Sequence, residues 1–184
     1  MDSFEFLLSY LQHADRPLTV AIDGRCAAGK TTLADRVGRA LQGQCNIVHT
    51  DDFYLPFACR SADSEQRPAG HMDIERLKSE ILLPLSNGNT AIYRPYNCHE
   101  DRFLPSVRLD AAKCTIIEGS YSCHPQLRAL YDLRIFLDIP KAEQLARLAN
   151  RDPAALPAFQ SRWIPKEELY FIACQVRENC DKVF

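Results

Sequence analysis

Short apolar runs alternate with segments of helical periodicity along most of the chain. Residues 18–23 form a near-continuous apolar run that ends at a glycine, which is typical of a strand covered on both faces. Residues 30–41 then carry apolar or small side chains at helical spacing, so the two segments predict the start of a βαβ unit. The same patterns predict further strands at 46–49, 114–117, 133–139 and 182–184, helices at 73–85, 124–131, 141–151 and 166–179, and a Pro-containing connection at 152–165.

A polar turn at Asn87-Gly88-Asn89 interrupts this alternation. Residues 90–96 and 106–109 follow it and predict a pair of short strands, which we interpret as a small inserted hairpin. Alternating strands and helices otherwise predict an α/β fold, a three-layer sandwich around a mostly parallel central sheet. At 184 residues the chain has the length of one domain, so we expect a single domain over 1–184.

Charge and composition narrow the function classes. The formal net charge is −2 with both signs interspersed, so we expect no nucleic-acid partner. No stretch approaches the roughly 18 apolar residues of a membrane span, and residues 1–16 carry Asp2 and Glu5 without a basic start, unlike a secretory signal. The eight cysteines form no CxxC pair and do not cluster with histidines at ligand spacing. We therefore expect reduced, mostly buried thiols in a cytoplasmic protein.

The chemistry begins at residues 24–31, GRCAAGKT, which satisfy the pattern GxxxxGK[ST] between a predicted strand and a predicted helix. Loop N–H groups and the helix N-terminus form an anion nest, Lys30 reaches the β- and γ-phosphates, and the Thr31 hydroxyl is a ligand for Mg²⁺. The motif predicts a P-loop fold that binds ATP with Mg²⁺. The predicted nucleotide-binding residues are Gly24, Arg25, Cys26, Ala27, Ala28, Gly29, Lys30, Thr31 and Thr32.

Cys26 lies inside this loop, with loop amides and Lys30 nearby. Such neighbours favour a thiolate. We therefore expect a thiol alkylator to inactivate the protein and Mg-ATP to protect it.

Two acidic positions follow predicted strands. Asp51 and Asp52 come directly after the strand at 46–49, at the edge where ligands bind in open α/β sheets, so one of them is a candidate to orient an acceptor hydroxyl and take its proton. Glu118 ends the strand at 114–117 and is a candidate Mg²⁺ ligand together with Thr31.

Arginines later in the chain predict a lid. Arg147 and Arg151 are four residues apart on one face of a predicted helix, and Arg162 follows. Arginines that close over a transferring phosphoryl group stabilise its charge in the transition state. We therefore take Arg147 and Arg151, together with Lys30, as catalytic candidates.

These motifs together resemble the uridine kinase-like branch of the P-loop kinases, whose relatives include phosphoribulokinase and bacterial pantothenate kinase. The resemblance lies in AIDGRCAAGKTTLA (21–34), TDDFY (50–54), IYRPYN (92–97), IIEG (116–119) and the arginine-bearing segment 145–163. It implies that Asp51, rather than Asp52, is the catalytic base and that the hairpin brings Tyr96 near the acceptor. We count Asp51, Tyr54, Tyr96 and Arg162 as substrate-binding candidates.

The resemblance implies a kinase that moves the γ-phosphoryl group of ATP to a small-molecule hydroxyl, with uridine or cytidine as the favoured acceptor. The segment Asn97-Cys98-His99-Glu100 departs from the Asp-Phe pair and histidine typical of the family, and residues 162–165 also differ. Pantothenate, a sugar or a nucleoside monophosphate therefore remain alternatives, the last with Arg94 and Arg102 as candidate phosphate contacts. A nucleotide-binding module without turnover is a further alternative, whereas a GTPase is disfavoured because the chain has no Asn-Lys-x-Asp motif.

Overall fold

The computed structural model describes all 184 residues. Its strands are β1 (Leu18–Gly24), β2 (Cys45–His49), β3 (Ala91–Tyr93), β4 (Tyr96–Asn97), β5 (Arg102–Phe103), β6 (Val107–Leu109), β7 (Cys114–Glu118), β8 (Leu133–Leu137) and β9 (Lys182–Val183). Five of them pair in parallel in the order β2-β7-β1-β8-β9 and form the central sheet. The predicted α/β fold with a mostly parallel sheet is confirmed.

The helices cover both faces of this sheet. They are α1 (Ser3–Gln12), α2 (Lys30–Ala40), α3 (Ile74–Arg76), a π-helical segment (Leu77–Leu82), α4 (Leu83–Ser86), α5 (Lys141–Arg151), α6 (Leu156–Ala158), a second π-helical segment (Phe159–Trp163) and α7 (Ile164–Ala173). Segments 74–86 and 156–173 each run through their π-helical part without a break.

Strand β1 illustrates why the sequences of the central strands are nearly continuous apolar runs. Val20 and Ile22 face one side and pack in a core with α1 and α2, whereas Ala21 faces the other side and packs with the helices of 74–86 and α7. Successive side chains of a strand point to opposite faces. Because helices cover both faces, most positions of such a strand are buried and apolar; in β1 the polar positions are Thr19 and Asp23.

The predicted insertion is confirmed and has two parts. Strands β3 and β6 pair antiparallel, and between them the two-residue strands β4 and β5 pair in the same way. The insertion therefore extends from 91 to 109 as a hairpin with a separately paired tip.

Several predicted boundaries were wrong. The helix predicted at 124–131 is only a short 3₁₀ turn at Arg128–Leu130. The Pro-containing connection at 152–165 is largely helical. Pro157 lies in the first turn of α6, where a missing N–H costs no hydrogen bond, and Pro165 lies at the junction of the π-helical segment and α7. Helix α1 was not predicted, although Asp2 and Glu5 form a capping box at its start. The thiols are also less buried than expected, since only Cys114 and Cys123 are fully buried.

Candidate active site

The loop between β1 and α2 is shaped by residues with positive φ. Ala27 (φ 62°) and Gly29 (φ 97°) turn the chain so that Lys30 begins α2. Gly24 has φ 134°, and a Cβ there would lie 2.1 Å from the main-chain oxygen of Leu137 in β8. Only glycine fits this contact between neighbouring strands. The loop therefore presents main-chain N–H groups at the start of a helix, the arrangement that binds phosphate.

Lys30 is the buried charge of this loop, with 8% of its surface exposed. Its Nζ donates to the carbonyl oxygens of Gly24 at 2.7 Å and Arg25 at 2.8 Å. Both partners are neutral, so no carboxylate cancels the ammonium charge at close range. The charge is available to an anion seated on the loop.

Parallel strand pairing brings Glu118 to the loop. Ile22 of β1 and His49 of β2 both lie opposite Glu118, which ends the strand β7 between them. The Glu118 carboxylate accepts a hydrogen bond from the Thr31 hydroxyl at 3.1 Å and contacts Nδ1 of His49. A hydroxyl and a carboxylate oxygen at this separation are the hard oxygen donors that Mg²⁺ prefers. The residues present therefore fit the predicted metal.

The two adjacent aspartates face different neighbours. Asp51 opens onto the site and accepts a hydrogen bond from the Tyr54 hydroxyl at 3.3 Å, whereas Asp52 accepts one from Tyr93 of the insertion at 3.2 Å. Limited solvation and the nearby Glu118 charge raise the pKa of Asp51, and the Lys30 ammonium opposes them. Asp51 therefore lies between the phosphate loop and Tyr54, whereas Asp52 contacts the insertion.

The side chain of Arg25 leaves the site. Its guanidinium pairs with Asp138 at 2.8 Å and with Glu168 of α7. Any contribution of Arg25 to nucleotide binding therefore comes from its main chain.

The expectation of a reactive thiolate at Cys26 was wrong. Its thiol is half-buried, 3.7 Å from a carboxylate oxygen of Glu167, and Gln144 donates to the sulfur at 3.2 Å. Burial and the Glu167 charge raise the pKa of Cys26 to about 12. We therefore expect slow alkylation at neutral pH, because the thiolate is the nucleophile.

The three predicted lid arginines all reach the site but are held by other groups. Arg147 donates to the main-chain oxygen of Ala27 at 3.1 Å and pairs with Glu143. Arg162 pairs with Glu65 at 2.9 Å. The guanidinium of Arg151 lies over the ring of Phe159, 5.3 Å from its centroid, without a carboxylate partner.

Of the residues predicted on the acceptor side, the two tyrosines line the cavity and the two candidate phosphate-binding arginines do not. Tyr54 and Tyr96 both contribute to the site wall, but the Tyr96 hydroxyl is already bonded to Asp101. Arg94 donates to Leu104, and Arg102 pairs with Glu100. Neither arginine lines the site, so the candidate phosphate contacts at 94 and 102 are not found there.

Three residues at the site were missed. Arg60 lies in a segment without predicted elements and lines the site. Glu167 is 2% exposed and accepts a hydrogen bond from the Cys26 N–H at 2.9 Å. Asp23 is fully buried and accepts from the N–H groups of Gly24 and Cys123 and from the Tyr170 hydroxyl. A charge within the apolar run at 18–23 was a signal for Asp23, whereas no local pattern marked the other two.

A cavity of about 960 Å³ joins most of these groups, and Asp23 does not line it. The predicted residues that line it are Cys26, Ala27, Gly29, Lys30, Thr31, Thr32, Asp51, Tyr54, Tyr96, Glu118, Arg147, Arg151 and Arg162. Gly24, Arg25 and Ala28 do not line it. Its volume is that of a site for a small molecule.

No helix of the protein has the length and apolar character to cross a membrane.

Comparison with known proteins identifies the family. Uridine-cytidine kinase B of Dictyostelium discoideum is 28% identical over 151 residues, which are 77% of this chain and 61% of that protein. Uridine kinase of Clostridium novyi is 30% identical over 145 residues, 74% of this chain and 69% of that protein. The structure of a possible uridine kinase from Bacillus stearothermophilus has the same fold, with a TM-score of 0.75 at 22% identity, and the match covers 98% of this chain and 96% of that one.

The family model described as "Phosphoribulokinase / Uridine kinase family" matches residues 19–155. This range includes the phosphate loop, both aspartates, the insertion, Glu118 and the first two lid arginines. The chain belongs to the phosphoribulokinase/uridine kinase family.

Proposed function

We propose that this protein is a kinase that transfers the γ-phosphoryl group of Mg-bound ATP to a hydroxyl of a small molecule. The observation that carries the proposal is a single cavity lined by Lys30 and Thr31 of the phosphate loop and by the carboxylates of Asp51 and Glu118. We take residues 1–184 as one cytoplasmic kinase domain.

On the donor side, the loop N–H groups and Lys30 would bind the phosphates of ATP. Thr31 and Glu118 would hold Mg²⁺, which supplies charge neutralisation of the phosphates when bound. Lys30 would exchange its two carbonyl partners for phosphate oxygens, which compensates the loss because a charge-assisted hydrogen bond is stronger than one to a neutral carbonyl.

On the acceptor side, Asp51 would orient the hydroxyl and take its proton. The hydroxyl oxygen forms a bond to the γ-phosphorus, the bond to the β–γ bridging oxygen breaks, and ADP leaves. The position of Asp51 supports this role, because this residue lines the same cavity as Lys30, Thr31 and Glu118.

The lid arginines would act after a rearrangement. Arg147 and Arg162 are each paired with a surface carboxylate, Glu143 and Glu65. Exposed ion pairs of this kind are worth about 1 kcal/mol or less. Exchange of these partners for transferring phosphate oxygens is therefore inexpensive, and Arg151 has no carboxylate to release.

The names of the relatives make uridine and cytidine the first acceptors to test. Pantothenate, sugars and nucleoside monophosphates follow because the hairpin tip departs from the family pattern at 97–100. A protein that binds ATP without turnover is the remaining alternative.

The test is acceptor-dependent release of ADP from Mg-ATP across these compounds. Lys30→Ala serves as the inactive reference, and Lys141→Ala, which removes an exposed lysine outside the cavity, is the matched control. We expect stimulation by at least one acceptor in the wild type and in Lys141→Ala only. Binding of ATP without stimulation by any acceptor would favour the module without turnover.

A further inference from the structure

The Nε and the guanidinium plane of Arg60 are held by neighbouring groups of the protein. Its Nε donates to the main-chain oxygen of Leu55 at 2.9 Å. Its guanidinium lies 4.3 Å from the ring centroid of Phe57 and 6.0 Å from that of Tyr54. A guanidinium held by one hydrogen bond and an aromatic ring has a defined position and keeps its outer nitrogens for other partners.

Those outer nitrogens have no protein partner. Arg60 forms no ion pair within 4.0 Å, and the only hydrogen bond of its side chain to protein is the one from Nε. Arg147 and Arg162, by contrast, each have a carboxylate in the same structure. Arg60 thus brings an uncompensated positive charge to the cavity wall.

This charge lies on the acceptor side. The hydroxyl of Tyr54 donates to Asp51, and the ring of the same tyrosine faces Arg60. One tyrosine side chain therefore separates the proposed base from the guanidinium, a span that a small molecule can bridge.

Apart from the proposed base, one acid of this side lines the cavity, Asp52, whose carboxylate accepts a hydrogen bond from the Tyr93 hydroxyl. None of the insertion residues that line the cavity is anionic; they are Tyr96, Asn97, Cys98, His99 and Leu104. The nearby Asp101 does not line the cavity and is engaged by the Tyr96 hydroxyl and the Phe57 N–H.

We propose that the acceptor carries an anionic group, a phosphate monoester or a carboxylate, that Arg60 binds while the acceptor hydroxyl lies at Asp51. This inference rests on the proposed kinase function. A planar guanidinium binds such groups through two parallel hydrogen bonds. It favours the anionic acceptors, pantothenate, nucleoside monophosphates and phosphorylated sugars, over neutral uridine, cytidine and unphosphorylated sugars.

The experiment compares acceptors in pairs that differ in the anionic group. Uridine 3′-monophosphate with uridine and fructose 6-phosphate with fructose form the phosphate arm, and pantothenate with panthenol and D-glycerate with glycerol form the carboxylate arm. Each pair is assayed by ADP release with wild type, Arg60→Gln, Arg60→Lys and the control Arg94→Gln, which alters an arginine outside the cavity.

We expect the anionic member of at least one pair to be preferred, and the active arm identifies the group. Arg60→Gln should raise its KM about ten- to a hundredfold, with the KM of ATP and of the neutral member unchanged. Arg60→Lys should recover part of the loss because it keeps the charge without the planar fork. Arg94→Gln should behave as wild type.

A second measurement does not need turnover. Inorganic phosphate is titrated calorimetrically into protein saturated with Mg-ADP, so that the phosphate loop is filled. We expect one weak phosphate site in wild type and Arg94→Gln, and none in Arg60→Gln.

The two proposals fail differently. Preference for a neutral acceptor with an unchanged KM in Arg60→Gln would overturn the anionic subsite and leave the kinase intact. A phosphate site that depends on Arg60, without ADP release from any acceptor, would support the subsite and count against the kinase. The absence of both overturns the subsite.

Discussion

The phosphate side and the acceptor side of the cavity are built in different ways. The phosphate side is mainly one contiguous stretch, 24–32, whose main chain does much of the binding. The acceptor side combines side chains from 51–60, from the insertion at 96–104 and from the helical segment at 159–163. A contiguous site carries its own geometry, whereas an assembled one depends on how distant segments pack.

This difference explains why the sequence indicates the donor chemistry more clearly than the acceptor. The donor chemistry follows from a local motif that the fold places at a strand-to-helix turn. The acceptor depends on side-chain placement across the cavity, where Arg60 lines the wall and Arg94 and Arg102 do not. Related kinases can therefore share the first side and differ in the second.

Substitutions of Asp51 and Asp52 test which residue is the base, and the largest change in activity is expected here. Asp51→Asn should lower kcat by a hundred- to ten-thousandfold because the proposed base is lost. Asp52→Asn should have a small effect, since an amide oxygen can still accept the hydrogen bond from Tyr93. Steady-state kinetics with confirmed binding of Mg-ATP checks both. A dead Asp52→Asn with an active Asp51→Asn would move the base by one residue.

Gly24 tests how rigidly the phosphate side is fixed to the sheet. Gly24→Ala places a Cβ against Leu137 at a φ reserved for glycine, so we expect a loss of at least about 3 kcal/mol in the free energy of unfolding. The control Gly43→Ala has φ 85° with no atom within 4 Å of the new Cβ and should cost about 1–2 kcal/mol. Urea denaturation measures both. Equal losses would show that backbone strain, not the contact with β8, dominates.

His71 tests the packing behind the acceptor wall. It is 1% exposed, both ring nitrogens lack partners, and it lies against Tyr54, Tyr121 and Trp163. Burial and the nearby positive charges of Lys166 and Arg60 lower the pKa of His71 to about 3. Between that value and the ordinary pKa of about 6.5 the unfolded chain binds more protons, so stability falls as the pH drops.

The expected loss from this residue is at most about 1.4 kcal/mol per pH unit below pH 6.5. His71→Phe should flatten the dependence, and replacement of the exposed His13 by Gln should not. Urea denaturation between pH 5 and 7 isolates the effect as the difference from wild type, because His124 has a pKa lowered to about 4 by burial and adds its own slope. An unchanged slope in His71→Phe would contradict the prediction.

Much of the fold was predictable because its signals are local. Strands β1, β2, β7 and β8 read as apolar runs because both faces of the sheet are covered, and α2 follows from its periodicity. The Pro-containing segment at 152–165 was predicted as a connection, although Pro157 lies in the first turn of α6 and Pro165 at the junction of the π-helical segment and α7. The thiol of Cys26 was misjudged because the carboxylate beside it, Glu167, is 141 residues away in sequence.

The sequence by itself determined the phosphate loop, the α/β class and the strand-end carboxylates, since each depends on neighbouring residues or on the direction of parallel strands. The tertiary structure decided the partners of Arg25 and Cys26, the pairing of the lid arginines and the place of Arg60. The physical reason is the distance along the chain over which each property is determined. Backbone geometry follows from a few adjacent residues, whereas solvation and charge at a side chain depend on every segment that packs against it.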